Sequence, residues 1–339
     1  MIRHAGIRLF LRWLMVLAST FLGLIAITFV IGRIMPIDPV ILIVGQDASK
    51  DAYDQVFHEL GLHLPLYQQF LIYLSEILRG DFGMSITTAQ PVLDDIRRVV
   101  PATLELATIG TLVGTLLGVP LGVIAAATQG SWIDKLVRVV SLIGYSVPVF
   151  WKGLMLLLIF YAVLGWTAGP GRLDVFYEGM VESHTGLILI DSLIAGETEI
   201  FWNAIDHMIL PAVSLGYAAS AYITRMTRSF MLDQLNQEYV TTARVKGMAE
   251  WRVVLFHAFR NTLVPLVTVI ALTYGILLEG SVLTETVFAW PGLGMYLTNA
   301  LFNGDMNAVI GATVVIGAVF ITLNLTSDLL YRMLDPRAR

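Results

Sequence analysis

The chain has 339 residues, of which 56% are hydrophobic and only 14% are charged, and its formal net charge is -5. A soluble domain carries about 25% charged residues, so this deficit indicates that most of the chain lies in lipid, where charge is costly. The absence of cysteine excludes disulfides and thiolate metal ligands. The six histidines lack the paired spacing of a zinc motif, so no metal site is predicted.

The N-terminal segment, residues 1–34, is predicted to hold the first transmembrane helix. Trp13–Gly32 runs for twenty residues without a charge, which is long enough to cross about 30 Å of hydrocarbon as a helix. The alternative is a cleaved signal peptide, but its apolar region is only about 7–15 residues long. We therefore expect an uncleaved first span.

Residues 35–98 form a mostly polar stretch that is predicted to fold as an extracytoplasmic loop. Pro36 and Pro39 end the first helix, because proline lacks a backbone donor and favours an extended exit. Leu66–Leu78 is amphipathic, and Arg79–Gly83 has the glycines of a turn. The side chains that give this loop something to bury are Phe70, Tyr73, Leu74 and Phe82.

The second apolar run opens at Pro101, and Leu106–Ala127 carries no charge. Four glycines recur in it at every fourth position, namely Gly110, Gly114, Gly118 and Gly122. Residues at this spacing share one helix face, where small side chains let helices approach closely in lipid. Tight packing against a neighbouring helix is the expected role, and a moving seam is the alternative.

The third run, Val139–Trp166, contains Tyr145, Pro148 and Lys152. A proline inside a span marks a kink and is tolerated when neighbours satisfy the freed carbonyl. These three residues are candidates for a pathway or kink site. Lys152 could instead extend toward an interface or pair with a carboxylate.

Three further apolar runs and two loops complete the chain. In order they are a loop at Gly169–His207, a short run at Met208–Thr224, a fifth run at Asn261–Leu278, a loop at Thr286–Asp305 and a sixth run at Ala308–Ser327. Six spans place both termini on one side of the membrane, and residues 99–339 would form the transmembrane core.

The distribution of basic residues indicates which side is cytoplasmic. Fourteen of the 21 basic residues fall on one predicted face, and positive residues favour the cytoplasmic side. They are Arg3, Arg8, Arg12, Lys135, Arg138, Arg225, Arg228, Arg244, Lys246, Arg252, Arg260, Arg332, Arg337 and Arg339. Both termini and the stretch Glu238–Pro265 are therefore predicted to be cytoplasmic.

The cytoplasmic stretch reads as two short helices. Tyr239–Lys246 ends at Gly247, which can adopt the positive φ of a helix C-cap. Trp251–Arg260 follows, with Val254, Leu255, Ala258 and Phe259 on one face. An amphipathic helix that only rests on lipid headgroups is the alternative interpretation.

This stretch resembles the cytoplasmic signature of the membrane subunits of binding-protein-dependent ABC importers, which reads Glu-Ala-Ala, three residues, then Gly. Ala243 and Gly247 match it, whereas Thr241 and Thr242 stand in the Glu and Ala positions and the proline falls late, at Pro265. With both departures, the stretch resembles the form that this signature takes in the dipeptide/oligopeptide/nickel branch of the family.

Seven other motifs resemble that branch in order along the chain. They are MPIDP at 35–39, ELGLHLP at 59–65, RGDFGMSI at 79–86, PATLELA at 101–107, GYSVPVFW at 144–151, HMILPA at 207–212 and TETVFAWPGLG at 284–294. The large loop after the first helix resembles the B-type, dipeptide permease-like subunit.

The resemblance implies an all-α integral membrane protein with six transmembrane helices of the type I ABC importer permease kind. It implies a bacterial inner membrane location, a second, C-type permease subunit, two ABC ATPase subunits and an extracytoplasmic solute-binding protein as partners, and no nucleic acid. The chain has no phosphate-binding loop of Walker type, so it is expected to be non-catalytic and to bind no cofactor, with ATP and Mg on the ATPases.

We call residues 225–260 the coupling segment, because the resemblance implies that it contains the helix that docks on an ATPase. The residues expected to take part are Tyr239, Ala243, Arg244, Lys246 and Gly247. Small residues would permit close approach, and the cations would pair with acids on the partner.

Other functions remain open at this stage. Within the family the cargo could be dipeptides or oligopeptides, or instead nickel chelates, haem precursors, opines or sugars. A secondary transporter would show inverted repeats and mid-membrane ionisable groups, but the halves show no repeat and only Glu105, Lys152 and Glu279 approach the membrane. A membrane hydrolase is disfavoured, because there is no GxSxG motif around a candidate serine. Its residues would be Asp191, His207 and Ser214.

Overall fold

The structure is a computed structural model that describes residues 2–34, 39–45 and 48–334. In its first half lie α1 (Ile2–Ile34), α2 (Pro39–Val44), α3 (Lys50–Glu59), α4 (Leu66–Leu78), α5 (Val92–Ala127), α6 (Trp132–Ser146) and α7 (Val149–Leu156). The second half contains α8 (Ile188–Ala195), α9 (Thr198–Leu235), α10 (Glu238–Val245), α11 (Glu250–Arg252), α12 (Arg260–Val287), α13 (Leu293–Asn303) and α14 (Met306–Leu334). Across these ranges the β structure amounts to one isolated bridge, between Met84 and Pro91. The predicted all-α class is confirmed for the described residues.

One compact unit takes in residues 1–99 and 296–321. Its core joins α1 to α4, where Phe29 lies 5.4 Å from Phe70 and the Thr28 hydroxyl lies 3.1 Å from that of Tyr73. The four side chains expected to be buried in the loop, Phe70, Tyr73, Leu74 and Phe82, all pack against this core. The stretch 35–98 is therefore folded wherever it is described, while its extracytoplasmic location stays a prediction.

Hydrogen bonds to a buried carboxylate also hold this first unit together. Asp305 is buried and accepts hydrogen bonds from the Ser85 hydroxyl at 2.6 Å and the Thr87 amide at 3.0 Å. Gly80 and Gly83 adopt φ values of 77° and 76°, so the predicted turn after α4 is confirmed. The left-handed conformation explains the glycines there.

The second unit takes in residues 100–295 and 322–339, and its centre is a close contact between α5 and α9. The four glycines of α5 face four residues of α9 that are also spaced by four. The pairs are Gly110 with Leu215, Gly114 with Ala219, Gly118 with Ile223 and Gly122 with Thr227. A Cβ on Gly114 would lie 2.6 Å from that of Ala219, so the predicted tight helix packing is confirmed.

Several helices begin earlier than the apolar runs suggested. α5 starts at Val92 and holds Pro101 in its interior, because its charged first turns are helical before the apolar run begins. α9 has 38 residues, from Thr198 to Leu235, and so exceeds the predicted run Met208–Thr224. Hydropathy locates only the apolar part of a helix. The polar ends of α5 and α9 are helical although they lie in stretches predicted as loops, and the membrane boundaries there stay a prediction.

The third apolar run is not one kinked helix. α6 and α7 are bent by 100° at a short break, and Val147 in the break has ψ 128°, which is extended backbone. A residue before proline is driven out of the helical region by the proline ring. Beyond α7 the chain continues as a π-helix, Leu157–Val163.

The described residues contain three helices that are long and apolar enough to cross a membrane, or four if the bent pair counts as one span. The three are Met15–Gly32, Val92–Ala127 and Glu250–Val287, and Met306–Thr322 is a shorter apolar helix. A multi-pass membrane protein follows from these helices. The number of six spans stays a prediction.

We predict that Gly114→Ala destabilises the second unit. The added methyl group would meet the Ala219 Cβ at 2.6 Å and the Gly216 carbonyl at 3.0 Å, and overpacking of this kind costs about 1–3 kcal/mol. Thermal unfolding of the purified chain in detergent should shift down by about 2–4 °C per kcal/mol. The control is Gly280→Ala, where a Cβ meets nothing within 4 Å. Equal midpoints for the two variants would contradict the close contact.

Candidate functional site

The helix predicted at Tyr239–Lys246 is present as α10, Glu238–Val245, while its coupling role stays a prediction. Its apolar side, Val240 and Ala243, is buried in one cluster with residues from the end of α9 and from the turns before α12. The partners there include Met231, Leu235, Val253, Val254 and Ala258. α10 is therefore seated firmly on the two helices that flank it.

The C-terminal end of α10 depends on Gly247. Gly247 has φ 75°, its amide donates to the Arg244 carbonyl at 2.9 Å and the Met248 amide donates to the Ala243 carbonyl at 3.3 Å. This pair of hydrogen bonds is a Schellman motif, which requires a left-handed residue at the position after the cap. The predicted C-cap at Gly247 is confirmed.

The two small residues of the signature act differently from the expectation. Ala243 is only 6% exposed and packs inside this chain, so it does not face outward for a partner. A Cβ on Gly247 would meet nothing within 4 Å, so backbone conformation, rather than contact within this chain, requires glycine there. The exposed side of α10 includes Thr241 and Thr242, and at its tip Val245 is 83% exposed and Lys246 is also exposed.

Two other expected site residues are held within the chain. Arg244 makes a bidentate ion pair with Glu250, with nitrogen–oxygen distances of 2.6 and 3.1 Å. The Tyr239 hydroxyl donates to the Gln234 side chain at 2.8 Å. These contacts tie α10 to the end of α9 and to the turn that follows Gly247.

The second predicted helix of the stretch, Trp251–Arg260, is not separate. α11 passes through a π-helix, Val253–Phe259, directly into α12. The wider π turn changes which side chains share a face. Val254 and Ala258 are buried as expected, but Leu255 is 46% exposed, so its assignment to the same apolar face was wrong.

A buried ion pair joins α6 to α9. Asp134 is buried, and its carboxylate accepts hydrogen bonds from Arg228 at 2.7 and 2.9 Å and from the Gly130 amide at 3.0 Å. Sequence reasoning used these charges only for topology. The two partners are 94 positions apart, and no local spacing connects them.

A second buried acid, Glu105 of α5, was noticed only as a charge near the membrane. It accepts from Arg172 Nε at 3.2 Å and from the Leu189 amide at 2.9 Å. Arg172 also donates to the Gly186 carbonyl at 2.8 Å. The stretch after α7 is thereby tied to α5 at Glu105.

The motif at 284–294 folds as a compact turn around another buried acid, Glu285. Its carboxylate accepts from the Gly294 amide at 2.7 Å and the Met295 amide at 3.1 Å, at the start of α13. A Cβ on Gly292 would come within 2.5 Å of the same carboxylate. Trp290 donates from its ring to the Ala102 carbonyl at 2.9 Å.

The hydrolase alternative finds no support, because His207 and Asp191 are bonded to other groups and the buried Ser214 hydroxyl has no hydrogen-bond partner among the described residues. The His207 ring nitrogens lie 3.1 Å from the Gly169 carbonyl and 3.2 Å from Asp174, beside a cavity of about 350 Å³. Asp191 accepts from Thr185 and Gly186. Burial raises the pKa of the Asp191 carboxyl, but these hydrogen bonds outweigh burial and leave the pKa below its usual value.

The third candidate group lies at the α6–α7 break. Tyr145 is exposed and Pro148 directly precedes α7. Lys152 is buried, and its ammonium donates to the Gly144 carbonyl at 2.8 Å. Lys152 thus reaches back across the break and does not extend toward an interface.

Comparison with known proteins identifies the class. Residues 118–339 match the family described as the binding-protein-dependent transport system inner membrane component, and residues 6–107 match its N-terminal component. The chain belongs to this family of membrane permease subunits.

Its relatives lie in the peptide branch, which confirms the resemblance. The chain is 43% identical over 329 residues to the di/tripeptide transport system permease protein DppB of Pseudomonas aeruginosa, covering 97% of each. It is 44% identical to the dipeptide transport system permease protein DppB of Haemophilus influenzae, covering 97% of this chain and 98% of that one. A probable D,D-dipeptide permease, DdpB of Escherichia coli, is 42% identical over 315 residues, covering 93% of this chain and 92% of that one.

Among solved structures the chain is similar to the inward-facing MetNI methionine ABC transporter. The TM-score is 0.53 with 17% identity, over 71% of this chain and 96% of that one. The likeness shows the fold, which is that of a type I ABC permease.

Proposed function

We propose that this chain is one of two permease subunits of an importer that carries dipeptides and short oligopeptides across the inner membrane. The observation that carries the proposal is similarity over 97% of the chain to a di/tripeptide permease. Import of nickel chelates, opines or other small solutes is the alternative, and a secondary transporter is the remote one. The named relatives favour peptides.

The chain would work without chemistry of its own. ATP and Mg would be bound by two partner ATPases, and a solute-binding protein would deliver the peptide from outside. A second, C-type permease subunit would supply the other half of the pathway. The large apolar area that the helices expose, including Leu116, Leu142 and Ile276, fits contact with lipid and with such a subunit.

We also propose that α10 is the element that couples ATP hydrolysis to transport. Its inner side is fixed by burial of Val240 and Ala243, so a push on its outer side moves α9 and α12 with it. The tip carries an apolar side chain and a cation, Val245 and Lys246, which suit a groove with an acidic edge. Tyr239, Arg244 and Gly247 would hold the helix in shape for that contact.

The function is tested by uptake of a radiolabelled dipeptide in cells that express the complete transporter. We expect uptake to be lost when this chain is deleted and also when the partner ATPase is inactivated by substitution of its phosphate-loop lysine. A secondary carrier would be indifferent to the ATPase. Dipeptide uptake that survives either change would overturn the proposal, and competition by unlabelled nickel chelates would identify the alternative cargo.

For coupling, we predict that Lys246→Glu and Gly247→Val each reduce peptide uptake at least tenfold without loss of membrane insertion. The first reverses the charge of the exposed tip, and the second puts a β-branched residue at φ 75°, a strained conformation that costs of order 1–3 kcal/mol. Uptake, stimulated ATPase activity and the amount of chain in membranes should be measured together.

The matched control is Lys135→Glu, the same charge change at an exposed site on α6. It should leave uptake near the unsubstituted level. Normal uptake and normal ATPase stimulation in both coupling variants would sink the assignment of α10.

We propose that both termini and the coupling segment are cytoplasmic, from the distribution of basic residues. The chain has no cysteine, so a thiol reagent can label this chain only at the single cysteine that is introduced. Glu197→Cys should react with an impermeant thiol reagent added to intact cells, or to spheroplasts where an outer membrane is present. Val245→Cys should react only after the inner membrane is permeabilised. The opposite labelling pattern would invert the topology.

A further inference from the structure

The break between α6 and α7 leaves the last carbonyls of α6 without helical donors, and the first of them is that of Gly144. The last hydrogen bond of α6 runs from the Val147 amide to the Ile143 carbonyl at 3.2 Å, and the first of α7 runs from the Lys152 amide to the Pro148 carbonyl at 3.1 Å. The Gly144 carbonyl comes next after Ile143, and its donor in a continuous helix would be the amide four residues on. That residue is Pro148, which has no N–H.

Lys152 supplies the missing donor. Its Nζ lies 2.8 Å from the Gly144 oxygen, and the residue is only 8% exposed. A carbonyl that is buried away from water is destabilising when it has no donor. Lys152 lies in α7, one turn after Pro148. The proline that breaks the helix and the lysine that replaces the lost hydrogen-bond donor therefore belong to the same short segment.

The break is also seated on α9. The Tyr217 hydroxyl donates to the Val140 carbonyl at 2.8 Å, and a Cβ on Gly144 would lie 3.1 Å from the Tyr217 ring and 3.2 Å from Ala221. The same ring lies beneath the lysine, with its centroid 5.3 Å from Nζ. A cation near an aromatic face is stabilised by the charge distribution of the ring.

The residue after the lysine contacts the other flanking helix. A Cβ on Gly153 would lie 3.0 Å from the Phe288 ring and 3.2 Å from Val287 at the end of α12. α9 runs into α10, and α12 follows from the coupling segment. The bent pair is therefore packed between the two helices that flank the proposed coupling helix.

We propose that Lys152 is a positioning residue for transport, which holds the α6–α7 break in its bent form so that movement of α9 and α12 is passed to α7. This inference rests on the proposed function. The ammonium acts through the Gly144 carbonyl and the Tyr217 ring, and it need not touch the cargo. Loss of the donor frees the bend, and the movement is then no longer transmitted.

The bend can be measured by double electron–electron resonance, which reports the distance between two spin labels, in the assembled transporter. Spin labels at Leu136→Cys and Leu158→Cys, both exposed, report the separation of the two legs, which would be about 33 Å in a straight helix. We expect a shorter, narrow distribution with Lys152 and a broad one with Lys152→Met. An unchanged distribution in Lys152→Met would overturn the inference. This readout does not depend on the cargo, so it still tests the bend if peptides prove to be the wrong substrate.

The transport arm compares Lys152→Met, Lys152→Arg and Lys135→Met, the last at an exposed lysine of α6. We expect Lys152→Met to lower peptide moved per ATP at least tenfold, Lys152→Arg to retain most of it because it keeps a cationic donor, and the control to match the unsubstituted chain. A merely structural lysine would lower the amount of transporter and leave peptide per ATP unchanged, which would contradict the proposal.

A second-site variant keeps the test decisive if Lys152→Met accumulates poorly. Pro148→Ala restores the amide that a continuous helix needs, so Pro148→Ala with Lys152→Met should recover the amount of folded protein. It should also lengthen the label distance toward the straight value and still transport poorly. Full transport by this straightened double variant would show that the bend is not needed and would refute the proposal.

Discussion

The contact between α5 and α9 is the constraint on which the second unit depends. Glycines in α5 bring the helices so close that a methyl group at Gly118 or Gly122 would come within 2.9 Å of its neighbour. In lipid such contacts matter because the surrounding acyl chains are as apolar as the side chains, so packing has to drive association. The close contact fixes α9, and α9 in turn carries the features that the proposed mechanism uses.

Along α9 these features follow in order. Tyr217 receives the α6–α7 break, Arg228 binds the buried Asp134, and the helix end leads into α10. Asp134 is also 3.5 Å from Arg138, but Arg228 holds it with two hydrogen bonds and is its main partner. α6 is thus joined to α9 twice, by the Tyr217 hydroxyl at Val140 in its middle and by the ion pair of Asp134 in its first turn. A displacement that begins at α10 therefore acts on the bent pair as well.

The sequence predicted those features that depend on residues close together in the chain, and it missed those that depend on residues far apart. The glycine spacing of α5, the amphipathic α4 and the cap at Gly247 are local patterns, and each was predicted with its physical reason. The starts of α5 and α9 were missed, since their first turns are polar and hydropathy reports only apolar surface. The partners of Glu105 and Asp134 lie 67 and 94 positions away, so no spacing rule could connect them. The proline at 148 indicated a kink, but the size of the bend depends on what packs against it.

The departure of this chain from the family signature has a physical account in α10. Where the signature has Glu, this chain has the exposed Thr241, and acidic charge is instead supplied by Glu238 in the first turn and by Glu250 just beyond Gly247. An acid in the first turn stabilises a helix through its dipole, and Glu250 binds Arg244 at the other end. What the structure needs from the signature is the buried Ala243 and the left-handed Gly247, because these two shape the seat and the end of the helix. The matched pair of residues is therefore the part that the fold constrains, while the replaced pair, Thr241 and Thr242, lies on the exposed side of α10.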